Sequence, residues 1–144
     1  MTGLKKLSRA LVIGLAVVVA LVSYNITIPA GKSSAANWKF AATHPTILLH
    51  IIAASVVLVV GVILVIKSLR ARQPSWILLS VAGMAFVILA YTGGEEYVMT
   101  LHKSALTVMS VGWLGAITSY GVGWYRGRKQ ERERTGALMT QSRP

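Results

Sequence analysis

The chain has 144 residues, of which 54% are hydrophobic and only 13% charged, and its mean hydropathy is +0.61. A soluble domain carries about twice that share of charge, so the composition excludes one and points to a bilayer. The formal net charge is +11 and there is no cysteine, which removes disulfides, thiolate metal sites, iron–sulfur clusters and covalently attached c-type haem.

A spanning helix needs roughly 20 mostly apolar residues, so this length holds several such helices joined by short loops, in a single domain. Met1 to Arg9 is a short basic segment with Lys5, Lys6 and Arg9, followed by an apolar run over residues 10–28. A basic start, an apolar stretch and the small residues Ser34, Ala35 and Ala36 also describe a secretory signal peptide. We read the run instead as a retained first span, ending near Pro29-Ala30-Gly31. Residues 31–43 form a polar connection in which Trp38 and Phe40 suit the headgroup level. A second span covers 45–66, with Pro45 at a first helical position and Thr43 or His44 as its cap. A basic turn with Arg70, Arg72 and Pro74 leads to a third span over 76–92, which Gly93-Gly94 is expected to break. Glu95 and Glu96 then favour the N-terminus of a fourth span over 96–124, which contains His102. The tail over 126–144 is polar and basic, has no apolar periodicity, and is expected to be partly disordered.

The N-terminus, the loop between the second and third spans, and the tail hold most of the Lys and Arg, whereas the opposite side has only Lys32, Lys39 and Lys103. The positive-inside rule then predicts an all-α, four-transmembrane-helix bundle in the cell membrane with both termini cytoplasmic. Basic runs beside spans signal topology and attract anionic lipid; they are no argument for nucleic acid.

This topology gathers His44, His50, His102, Glu95 and Glu96 at the outer face. Ionisable groups within the apolar zone are unfavourable and are functional candidates by default. His50 shares a helical stripe with Ala53, Ala54, Val57 and Gly61, and His102 shares one with Ala105, Met109, Gly112 and Ala116. Small residues below each histidine leave space for a flat group. A haem b with His50 and His102 as axial ligands follows, because imidazole takes haem iron readily and facing helices of a bundle are a usual place for it. Lys103 and Lys39 are the candidate partners of its propionates. In these two histidines and the four-helix architecture the chain resembles the small membrane cytochromes b, which hold haem between histidines on different helices. The resemblance implies electron transfer, or a haem-bearing subunit of a larger respiratory or oxidising complex. With no histidine in the cytoplasmic half, it implies at most one haem, near the outer surface.

Two other readings use the same residues. Copper or zinc suits the imidazole and carboxylate set His44, His50, His102 and Glu95, with His44 joining from the loop. Alternatively the chain is a non-catalytic accessory subunit that docks other membrane subunits through a face of Gly112, Gly115, Ser119 and Gly123. Phosphate-loop, nucleophile-elbow and zinc-protease motifs are missing, and the middle of every span is uncharged, which speaks against a transporter.

Overall fold

A computed structural model describes residues 2–22, 28 and 33–141, with side chains for residues 3–21, 28 and 33–133. These residues form five helices and no strand: α1 (Thr2–Val22), α2 (Ser34–Thr43), α3 (Pro45–Arg70), α4 (Pro74–Thr100) and α5 (Lys103–Gln141). Three of them, α3, α4 and the Lys103–Glu133 stretch of α5, are long and apolar enough to cross a membrane. Pro45 and Pro74 open α3 and α4, where a missing N–H leaves no bond unmade. Lys67 and Arg70 occupy the last turn of α3, favourable against its C-terminal dipole.

Four sequence expectations change. The first helix starts earlier than the apolar run: α1 takes in Lys5, Lys6 and Arg9, and these cations set it apart from the three apolar helices. Residues 23–27 of the expected span lie outside the described residues. The polar connection contains a helix, α2, started by Ser33, whose Oγ accepts from the Ala36 N–H at 3.3 Å. Its face carries no apolar period that would announce it.

The third change moves the candidate site. Gly93-Gly94 does not break the chain, and α4 continues through it to Thr100. Here glycine serves close packing: a Cβ on Gly93 would lie 2.7 Å from the Met109 backbone nitrogen and 3.0 Å from the Ala105 carbonyl oxygen. The turn comes at Leu101, which is left-handed at φ 57 and donates its N–H to the Tyr97 carbonyl at 2.8 Å. Glu95 and Glu96 therefore end α4 rather than beginning a span, and His102 lies in the turn before α5. Lastly, the basic tail is helical to Gln141, continuous with α5. Its Arg, Lys, Gln and Glu residues are good helix formers, and Lys5 pairs with Glu131.

Round the bundle, α1 packs on α3, α3 on α4, α4 on α5 and α5 on α1, so α3 and α5 stand diagonally opposite. One half of the interior is filled by Leu11, Leu15, Leu64, Trp76, Ala116 and Tyr120. Tyr120, 1% exposed, lays its ring where a side chain on Gly83 would go. Polar bonds tie the helices together within this apolar interior, where the backbone acceptors would otherwise lack a second donor. Ser8 donates to the Tyr120 carbonyl at 2.6 Å, Trp113 Nε1 donates to the Leu15 carbonyl at 3.0 Å, and Ser68 meets Ser80 at 2.6 Å. A smaller cluster of Ala41, Val98, Ile47, Ile51, Tyr97 and Leu101 closes the other end, over the heads of α3 and α5.

Candidate functional site

The histidines lie at the end closed by the smaller cluster. His44 joins α2 to α3 in an extended conformation, its N–H donating to the Phe40 carbonyl at 2.9 Å and its carbonyl accepting from Leu48 at 3.0 Å. Its ring leans on Phe40, with centroids 5.4 Å apart. Pro45 sets the first turn of α3, and His50 follows inside it, half-buried between α3 and α1. His50 Nδ1 lies 3.0 Å from the Val18 carbonyl oxygen of α1. A carbonyl only accepts, so Nδ1 carries a proton, which leaves Nε2 as the nitrogen open to a further partner.

His102 is exposed, and its backbone N–H donates to the Thr100 hydroxyl at 3.2 Å. Its carbonyl accepts from Ala105 at 3.1 Å and so starts α5. The two histidines expected to hold haem therefore head the diagonal helices at one end of the bundle, but at different depths: His50 is one turn inside α3, whereas His102 stands just before α5. Lys103 and Lys39 are close to these heads in sequence and are both exposed. Glu95 and Glu96 are exposed on the last turns of α4. Among the described residues, no three His, Asp or Glu side chains gather closely enough to hold a metal ion, so His44, His50, His102 and Glu95 do not form one cluster.

The glycine face is also placed differently. Gly112 packs against the Phe86 and Ala90 backbone, Gly115 against the Phe86 ring, and Gly123 against Ser8 and Trp76. Ser119 bonds back to the Gly115 carbonyl at 2.8 Å. The surface expected to dock other subunits is thus occupied by α4 and α1 of the same chain.

Asn37 was not among the sequence candidates. It is 4% exposed, and its Nδ2 donates to the Val98 carbonyl at 3.0 Å, holding α2 over the end of α4. Its Oδ1 and the His44 Nδ1 are buried without a protein partner; the amide oxygen calls for a donor, and the ring nitrogen for a hydrogen-bond partner, from water or a ligand. The signal was present as Asn37, Ala41 and His44 at helical spacing. A second signal was also present: Leu49-His50 is followed by Ala53, Ser55 and Val56, and Leu101-His102 by Ala105, Thr107 and Val108 at the same offsets.

No protein-family model matches the chain, and neither a curated protein nor a solved structure is detectably similar to it.

Proposed function

We propose that this is a small four-span membrane protein that holds a haem b at its outer end, for electron transfer or as the haem-bearing subunit of a larger respiratory or oxidising complex. The fourth span is α1. It packs on both α3 and α5, bonded to the head of α3 where His50 meets the Val18 carbonyl and to α5 where Trp113 donates to Leu15 and Ser8 donates to Tyr120. Helices that cross a bilayer carry with them a neighbour packed in this way. With four spans and most of the Lys and Arg at one end, both termini are cytoplasmic in the cell membrane.

The observation that supports the haem reading most is the state of His50. Ligating histidines commonly donate their second ring nitrogen to a carbonyl, which fixes the tautomer and raises the basicity of the ligating one. His50 has that arrangement within an apolar bundle, and His102 heads the opposite helix at the same end. The group would supply one-electron iron chemistry, while the chain's own part is orientation. Val18 holds the His50 ring, and the packed inner half would keep the group at the outer end. The buried acceptor on Asn37 gives that end a polar contact. The accessory-subunit reading loses its glycine face to intramolecular packing.

An absorption spectrum of the detergent-purified protein, oxidised and then dithionite-reduced, tests this. A Soret band with split visible bands on reduction is the expected result, and His50→Ala should remove it. Retention of the full spectrum in His50→Ala would mean the ligand is misassigned. A featureless spectrum in gently purified wild type would end the haem reading.

A further inference from the structure

We propose that Lys6 and Arg9 form a binding pair for the phosphate of an anionic phospholipid, on the lipid-facing side of α1 in the inner leaflet. The proposal rests on the four-span reading for the position of α1, and it is independent of haem. α1 buries Leu4, Ser8, Leu11 and Leu15 against the bundle at helical spacing. The opposite stripe is exposed and runs through Lys6, Arg9, Ile13 and Val17, so it is apolar except for two cations at its basic end. Residues three apart face the same way on a helix, which puts both cations over one patch of lipid.

The register on α5 sets their depth. Ser8 bonds to the Tyr120 carbonyl and lies against Gly123, while Lys5 lies against Gly127. Arg9 therefore stands beside the turn of α5 just before Trp124, and Lys6 lies one turn further toward the basic end. Trp124 carries Arg128 at 5.9 Å from its ring centroid, and Tyr125 is 70% exposed, the aromatic and cationic chemistry of the headgroup level. Arg9 thus leaves its helix roughly 5 Å inside that level, about one turn. A cation there is unfavourable unless its stem runs along the apolar surface and returns the guanidinium to an anion. A guanidinium takes phosphate oxygens two at a time, and the Lys6 ammonium adds a second charge. Lys5, off this stripe, is engaged with Glu131.

The test measures the motionally restricted fraction of spin-labelled phosphatidylglycerol against spin-labelled phosphatidylcholine, by electron spin resonance, for the full chain in vesicles of mixed composition. Wild type should prefer phosphatidylglycerol. Each cation near an anionic surface is worth about fivefold, so Lys6→Gln with Arg9→Gln should remove most of that preference. Removing equal charge from the α5 extension, as Lys129→Gln with Arg132→Gln, should leave most of it. Equal losses in the two double variants would reduce the effect to bulk charge and overturn the site. No preference in wild type, or displacement by inorganic phosphate, would overturn it as well. Failure of the four-span premise shows separately: the chain has no cysteine, so Ile13→Cys or Val17→Cys would then react with a water-soluble maleimide, which the premise forbids.

Discussion

Arg72 shows what one residue contributes at a turn. It sits between α3 and α4 at φ 51, where an L side chain is strained, and it is exposed, so little packing offsets the strain. Arg72→Gly should raise resistance to unfolding by up to about 1 kcal/mol, read as the midpoint of an SDS titration in mixed micelles. An unchanged or lower midpoint would show that the left-handed conformation carries no strain there. Leu101 has the same backbone geometry but packs into the cluster over the histidine end, so glycine there would relieve strain and lose apolar contact together. The turn beside His102 is fixed by both terms at once.

At the level of the helix, glycines divide by what they face. A Cβ on Gly112 would overlap the backbone of Ala90 and Phe86, which cannot move aside as a side chain can, whereas a Cβ on Gly121 would meet nothing within 4 Å. Gly112→Ala should therefore destabilise the bundle by about 1–3 kcal/mol, and Gly121→Ala should be neutral or slightly stabilising. Equal effects in the same SDS titration would mean that α4 and α5 are further apart than described. The same contrast explains why the sequence misled at Gly93-Gly94. In water a glycine pair is a good sign of a helix end, but between apolar helices it marks where two backbones touch, and sequence spacing alone does not separate the cases. From that one boundary followed the misplacement of Glu95, Glu96 and His102. The starts of α3 and α4 were legible because each has proline with polar residues before it. α2 was hidden because its inward face is made of Asn37, Ala41 and His44, which no hydrophobic pattern registers.

For the molecule as a whole, composition pointed to membrane helices before any contact was known; α3 was placed nearly as found, and α4 was found at its start but not at its end. The candidate site was legible only as residue types at one end. That His50 is held by α1, that His102 is exposed, and that Asn37 completes that end depend on contacts distant in sequence, such as the one from Val18 to His50. The packed half around Tyr120, Leu64 and Trp76 bears on the electric field across the bilayer. A charge that crosses the whole membrane gains or loses about 2.3 kcal/mol per 100 mV, but one exchanged only at the histidine end, with this layer closed below it, crosses a small fraction of that drop. Should the proposed haem be held at His50, its reduction level in proteoliposomes polarised by a potassium diffusion potential should stay almost constant. A shift near the full-field value would mean that charge passes through the Tyr120 layer. A redox group placed this way works at the same driving force in an energised cell as in a resting one.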